Sequence, residues 1–82
     1  MQTTRAEITK ALAEIISEIA SVSVDTVRED SSFTDDLAVD SLSMVEISVA
    51  AEERFAVTIP DEEVKHFTTV RDVVDHIAVH QS

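Results

Sequence analysis

The sequence predicts an all-α fold, a four-helix bundle with three long helices, one short helix and a long loop between helices one and two. Apolar residues recur at intervals of three and four along several segments, which is the spacing of a buried helix face. The 82 residues, 44% of them hydrophobic, suffice for one small core, and no repeat or domain boundary is visible. We therefore expect residues 1–82 to form a single domain.

The first predicted helix spans residues 4–20. Thr4 and Glu7 match a capping box, in which two side chains bond N–H groups that have no partner inside the helix. Five apolar side chains follow on one face: Ile8, Leu12, Ile15, Ile16 and Ile19. The next segment runs to Val39, and its spaced apolar residues predict an ordered loop with a short helical turn at residues 35–37.

Three further helices are predicted after the loop. Helix two runs from Ser41 to Phe55 and is followed by an extended segment, because the residue before Pro60 is pushed out of the helical region. A short helix spans residues 61–67, with acidic side chains in its first turn. The last helix opens at a cap near Thr69, carries apolar residues at helical spacing and ends near Val79.

Composition excludes several kinds of chemistry and partner. The chain has no cysteine, so it forms no disulfide or thiolate site, and any thiol must come with a cofactor. Its net charge of −11 disfavours nucleic acid and anionic membranes and favours basic protein partners. Without a signal peptide or a membrane-length apolar run, it is expected to be cytoplasmic and not inserted in a membrane. Because glycine and asparagine are both absent, we expect aspartate at any left-handed backbone position, unless such positions are avoided.

Ser41 is the candidate modification site. It stands between Asp40 and Leu42 at the start of helix two, where backbone N–H groups lack partners inside the helix and the helix dipole is positive. A phosphate ester on this serine would be stabilised there. Serine and aspartate are also favoured helix caps, so the tripeptide is equally compatible with a plain N-cap, at Ser41 if the helix begins at Leu42.

Helix two carries two apolar stripes. Its core face, at about 100° per residue, consists of Met44, Ile47, Ser48, Ala51 and Phe55. The other side mixes apolar and acidic side chains, a combination that suits transient docking because charge sets the encounter rate and apolar contact supplies short-range affinity. We name this side the docking face; it runs away from Ser41, and its residues are Leu42, Val45, Glu46, Val49, Glu52 and Glu53.

Other clusters of ligand-type side chains are weaker indications. His76 and His80 lie one turn apart with Asp72 a turn earlier, but no fourth metal ligand is evident. Four loop aspartates lack the spacing and glycine of an EF-hand: Asp30, Asp35, Asp36 and Asp40. No nucleophile elbow surrounds Ser41, and the histidines all lie late in the chain. We therefore expect neither a metal site nor an enzyme.

Beyond the tripeptide, further motifs follow in a fixed order along the chain: Val45-Glu46, Ala50, Glu52-Glu53, Phe55, Ile59-Pro60-Asp61-Glu62-Glu63, Thr68-Thr69-Val70 and Ile77. Together with Asp40-Ser41-Leu42 they resemble the acyl carrier proteins of dissociated (type II) bacterial fatty acid synthases, over nearly the whole chain. The string from Phe33 to Leu37, with Val39 to Glu46, is most similar to the actinobacterial branch. The resemblance implies an acyl-carrier type of bundle without catalytic activity.

The resemblance also implies a cofactor and partners. A phosphopantetheinyl transferase would move 4'-phosphopantetheine from coenzyme A onto Ser41, and acyl chains would be carried as thioesters on its thiol for fatty acid biosynthesis. The implied synthase partners, each presenting a basic patch to a monomeric carrier, are malonyl transferase, ketosynthase, ketoreductase, dehydratase and enoyl reductase. The implied acidic and apolar contacts fall on the docking face, and the resemblance adds Asp40 to them.

In a carrier of this kind the acyl chain lies between the helices, because each exposed methylene costs about 0.8 kcal/mol. A filled core would use the same residue types as a cavity. The candidate lining residues are Phe33, Leu37, Met44, Ile47, Ala51, Phe55, Ile59, Val64, Phe67 and Val73.

Three positions depart from the commonest family pattern. Ala38 stands where glycine is frequent, Ser43 stands where many relatives have an acid, and Arg54 interrupts the acidic run. These departures leave attachment at Ser41 untouched but leave partner preference open. Two alternatives remain at this point: a carrier of a type II polyketide or other secondary-metabolite pathway, and an acidic helical interaction domain without a cofactor.

Overall fold

Four α-helices and one turn of 3-10 helix make up the protein in a computed structural model that describes residues 3–81. The α-helices in chain order are α1 (Arg5–Ala20), α2 (Ser41–Phe55), α3 (Asp61–Val64) and α4 (Val70–His80). Within residues 3–81, β-type pairing is limited to an isolated bridge between Ser32 and Thr69. The prediction of an all-α bundle with three long helices and one short helix is confirmed. None of the helices in this range is long and apolar enough to cross a bilayer.

The ends of the helices follow the predicted signals closely, with two differences. Thr4 caps α1 as predicted, since its Oγ1 accepts a hydrogen bond from the N–H of Glu7 at 3.2 Å and its own N–H donates to Glu7 Oε1 at 3.3 Å. Helix α3 ends at Val64 rather than at residue 67, because the chain tightens into bonds between residues three apart, such as Phe67 N–H to the carbonyl of Val64 at 3.2 Å. The short 3-10 turn Val24–Thr26 was not predicted.

The long loop is bonded to the bundle beside the start of α4. Phe33 is 1% exposed, and its N–H donates to the carbonyl of Thr68 at 3.0 Å. The carbonyl of Phe33 accepts from the N–H of Val39 at 2.7 Å, which anchors the segment just before α2. The predicted ordered loop is therefore present, with its turn at residues 33–36 rather than 35–37. These hydrogen bonds fix the position of the segment that leads into α2.

The core lies where α1, α2 and α4 meet and where Phe33 inserts from the loop. Its largest fully buried side chains are Phe33, Ile8, Leu12, Ile16, Ile47, Ile77, Val70, Val73 and Val74. A charged cluster outside the core ties the loop to two helices, because Arg5 Nη2 lies 2.6 Å from both Glu29 Oε1 and Asp75 Oδ1. These partly exposed pairs orient the elements more than they stabilise them.

Three of the residues from 3 to 81 adopt left-handed backbone conformations: Ser21 (φ 58°), Ala38 (φ 52°) and Ala56 (φ 54°). Ser21 and Ala56 are the C-caps of α1 and α2, and Ala38 lies in the loop before α2. The expectation that aspartate would fill such positions is wrong. Helix ends and the approach to Asp40 require this geometry, so serine and alanine adopt it at a steric cost of about 1–2 kcal/mol each.

We expect Ala38→Gly to raise the free energy of unfolding by about 0.5–1 kcal/mol. Glycine removes the steric cost at φ 52°, and the added flexibility of the unfolded chain offsets part of the gain. Urea denaturation of the purified protein measures the change. Ala50→Gly, inside α2, is the control and should lower stability instead. Equal destabilisation by both substitutions would contradict a strained Ala38.

Candidate functional site

Asp40 and Ser41 open α2 in different roles. Asp40 is the N-cap, and its Oδ1 accepts a hydrogen bond from the N–H of Ser43 at 2.8 Å. Ser41 is the first helical residue and is exposed. The alternative in which the helix begins at Leu42 and Ser41 is the cap is wrong, because the Asp40 carboxylate already occupies that capping position. The Ser41 hydroxyl group is thus not committed to capping the helix.

The charge of Asp40 is stabilised by the start of the helix. The backbone N–H of Ser43 is the main cause that holds the pKa of the Asp40 carboxyl below its usual value, and the Ser43 side chain and the N–H of Leu42 act in the same direction. Hydrogen bonds to a carboxylate favour its charged form. Asp40 is therefore ionised at neutral pH, and a second negative group on Ser41 would lie next to it.

The capping role of the Asp40 carboxylate predicts that the stability of the fold falls at acidic pH. Because the pKa of Asp40 is lower in the folded than in the unfolded state, its stabilising contribution is complete above the unfolded value near 3.8 and is lost as the pH falls through the folded value. Asp40→Asn, which keeps a capping oxygen, should remove this part of the acid dependence. Thermal unfolding across the range below about pH 5 measures it. An unchanged acid profile in Asp40→Asn would contradict the role given to the carboxylate.

The two predicted faces of α2 separate in the structure. The residues of the core face are buried, except that Phe55 is partly exposed: Met44, Ile47, Ser48, Ala51 and Phe55. On the docking face Leu42 is 69%, Val45 48% and Val49 47% exposed, and Glu46 and Glu53 are exposed beside them. Glu52 differs from these, because its Oε2 accepts a hydrogen bond from the N–H of Ile59 at 2.9 Å. The carboxylate of Glu52 thus holds the segment after α2 as well as facing outward in part.

A cavity of about 660 Å³ opens beside Ser41 between α2, α3 and the end of the long loop. Its lining is Thr34, Val39, Asp40, Ser41, Met44, Val45, Asp61, Val64, Lys65 and Phe67. A volume of this size lies in the range of small-molecule pockets in proteins. The lining is mainly apolar toward the bundle, and its charged groups are Asp40, Asp61 and Lys65.

Three of the ten candidate acyl-cavity residues line this space: Met44, Val64 and Phe67. The other seven are packed in or against the core: Phe33, Leu37, Ile47, Ala51, Phe55, Ile59 and Val73. Sequence reasoning missed Thr34, Val39, Asp61 and Lys65 as lining residues. Of these four residues, only Val39 has a position in the sequence that could have indicated cavity lining, because it is apolar and directly precedes Asp40.

The histidines of α4 make hydrogen bonds to backbone carbonyl groups. His76 Nε2 lies 3.0 Å from the carbonyl oxygen of Thr58, and His80 Nδ1 lies 2.8 Å from that of His76. The two imidazole rings stack with centroids 4.1 Å apart. Among residues 3–81, no three histidine or acidic side chains are arranged to hold a metal ion. His76 therefore fastens α4 to the segment before α3, whereas the bond of His80 stays within α4.

Comparisons with known proteins agree with this geometry. The sequence model of a family described as "Phosphopantetheine attachment site" matches residues 10–77. The acyl carrier protein of Acidothermus cellulolyticus is 58% identical over 78 residues, which cover 95% of this chain and 93% of that protein. That of Beutenbergia cavernae is 51% identical over 78 residues and covers 95% of each. A solved structure of an acyl carrier protein from Enterococcus faecalis superposes with a TM-score of 0.79 at 33% identity, over 96% of this chain and all of that one.

Proposed function

This chain belongs to the acyl carrier proteins of the phosphopantetheine attachment site family, and we propose that Ser41 Oγ is the atom to which its 4'-phosphopantetheine is attached. Such proteins carry acyl groups and catalyse no reaction themselves. The interaction domain without a cofactor, considered from the sequence, is set aside by this membership. Similarity to actinobacterial relatives was also predicted and is confirmed.

The position of Ser41 supports its assignment. Its side chain is exposed, it is released from capping by Asp40, and it lies at the positive end of α2. It also borders the cavity of about 660 Å³, so an arm that starts at Ser41 can either extend into solvent or fold back between α2 and α3. The other serine in the first turn of α2, Ser43, is only partly exposed.

Mass spectrometry tests the assignment directly. Incubation of the protein with coenzyme A and a broad-specificity phosphopantetheinyl transferase should add the mass of one phosphopantetheine. Peptide fragmentation should then place the added mass on Ser41. An unmodified protein, under conditions that modify a known carrier, or an added mass on Ser43 would overturn the proposal.

We further propose that the carrier serves fatty acid biosynthesis in the cytoplasm, as a monomeric single domain formed by residues 1–82. Its relatives are named acyl carrier protein, and the acidic docking face suits synthase enzymes and a transferase that present basic patches. These enzymes would be the malonyl transferase, ketosynthase, ketoreductase, dehydratase and enoyl reductase. Analysis of the acyl groups on protein purified from its own host tests the pathway, and polyketide intermediates would contradict it.

The acyl chain is proposed to enter the bundle beside Ser41. Met44, Val64 and Phe67 form the apolar wall of the cavity, and the packed residues Ile47 and Val73 lie deeper in the core. Each buried methylene contributes about 0.8 kcal/mol. Burial of a chain of several carbons would therefore offset the free-energy cost of displacing some core side chains. In this proposal the cavity is an entrance formed in advance, and a deeper space opens as the chain enters.

Leu42 tests the docking face. We expect Leu42→Ser to lower kcat/KM for the transferase about tenfold, because the loss of a central apolar contact costs on the order of 1.4 kcal/mol, and to leave the melting temperature nearly unchanged. Val79→Ser is the matched control: Val79 is 77% exposed on α4, away from the docking face, and Leu42 is 69% exposed. Steady-state kinetics of the transferase measures kcat/KM for each variant. Equal losses from both would show that apolar surface in general, rather than this face, supports docking.

A further inference from the structure

Lys65 lines the cavity that borders the proposed attachment site, although it follows Ser41 by more than twenty residues in the chain. It is the C-cap of α3, and its backbone N–H donates to the carbonyl of Asp61 at 3.3 Å. Its side chain is exposed and lines the same cavity as Ser41. Among the ten lining residues it is the sole basic side chain. The end of α3 therefore holds a positive charge at the cavity mouth.

The surrounding charges make this position unusual. The chain has only six lysine and arginine residues against 17 acidic ones. The ion pairs within residues 3–81 use Arg5, Arg54 and Arg71, whereas the Lys65 ammonium group forms none there. The other formal charges in the lining of the cavity are the carboxylates of Asp40 and Asp61. The ammonium group is thus available to a further anion in this cavity.

Attachment at Ser41 would bring that anion. A phosphodiester carries one negative charge, and on Ser41 it would adjoin Asp40, whose carboxylate is ionised. Two neighbouring negative groups repel each other, and a cation across the cavity offsets this repulsion. Lysine suits the task, because its ammonium group is a compact charge on a flexible stem with three rotatable donors.

We propose that Lys65 binds the phosphodiester on Ser41 and so orients the root of the arm along the cavity between α2 and α3. Lys65 is a positioning residue in this scheme. The inference rests on the proposed attachment at Ser41 and adds to it a specific partner for the phosphate. It implies that the arm leaves the helix start toward α3 rather than toward solvent.

A comparison of apo and modified proteins tests this pairing. Wild type, Lys65→Gln and Lys10→Gln are each prepared in both forms, loaded to completion with excess transferase and checked by mass. Lys10 is exposed on α1 and outside the cavity lining, so both variants lose the same charge. The change in melting temperature on modification should be less favourable by about 2–5 °C in Lys65→Gln than in wild type, at low salt. Lys10→Gln should match wild type.

Two further measurements separate a specific pair from a structural effect. The ³¹P resonance of the phosphodiester should shift in Lys65→Gln but not in Lys10→Gln, and Lys65→Arg should restore the wild-type temperature change. The difference between the variants should shrink as salt is raised, since screening weakens exposed charge pairs. An unchanged ³¹P resonance together with an unchanged temperature difference in Lys65→Gln overturns the inference. The mass check reports attachment separately, so failure of Lys65 binding is distinguishable from failure of the assignment to Ser41.

Discussion

Ser41→Ala should abolish phosphopantetheine attachment, whereas Ser43→Ala should retain it. The phosphodiester requires an accessible oxygen nucleophile, and Ser41 supplies one at the first position of α2, beside the cavity. Ser43 lies two residues along the helix and is only partly exposed, and its N–H is bonded to Asp40 Oδ1. Intact mass measurement after incubation with coenzyme A and transferase gives an all-or-none result for each variant.

The control for this prediction is the fold of the variants. Ser41 is exposed and does not cap α2. Removal of its hydroxyl oxygen should therefore leave the helical circular dichroism signal and the melting temperature close to those of the wild type. A modified Ser41→Ala protein would show that another residue accepts the arm. An unmodified Ser43→Ala protein with intact helices would show that the transferase needs the second serine, and the assignment to Ser41 alone would have to be revised.

Phe33→Ala should remove most of the stability of the fold. Phe33 is 1% exposed, and removal of a buried phenylalanine ring costs about 3–5 kcal/mol. The total stability of a domain this small is of the same order, about 5 kcal/mol. The backbone of Phe33 also joins the loop to Thr68 and Val39, so the loss of packing should release the segment before α2.

Urea denaturation followed by circular dichroism measures this effect, with Phe55→Ala as the matched control. Phe55 is partly exposed and packs against the edge of the core, so the same chemical change should cost clearly less than at Phe33. The apo protein suffices for the measurement. A cooperative transition within about 1 kcal/mol of wild type would contradict the role of Phe33 as the anchor of the loop.

Much of the local structure follows from patterns that act over a few residues. The capping box at Thr4 and Glu7, the two faces of α2 and the extended segment before Pro60 depend on neighbouring side chains and backbone restrictions, so they were predictable. The end of α3 and the 3-10 turn were missed for the opposite reason. Such short elements have little stability of their own and take the form that the packed chain around them allows.

The left-handed residues show the same limit. In a chain without glycine or asparagine, local preference favours aspartate at such positions, yet Ser21, Ala38 and Ala56 occupy them. Their conformations are set by where the following element must go once α1 and α2 are packed. Tertiary contacts offset the steric cost of these left-handed conformations, which the side chains themselves do not predict.

The sequence by itself determined the all-α class, the helix that begins at Ser41, its acidic and apolar docking face and the family to which the chain belongs. These depend on residue type and on helical spacing, both of which are readable along the chain. Only the tertiary structure decided which apolar residues border a cavity and which fill the core, and that Lys65 lines the same cavity as Ser41. Both are distances between residues far apart in sequence, and they arise only when α3 packs against α2.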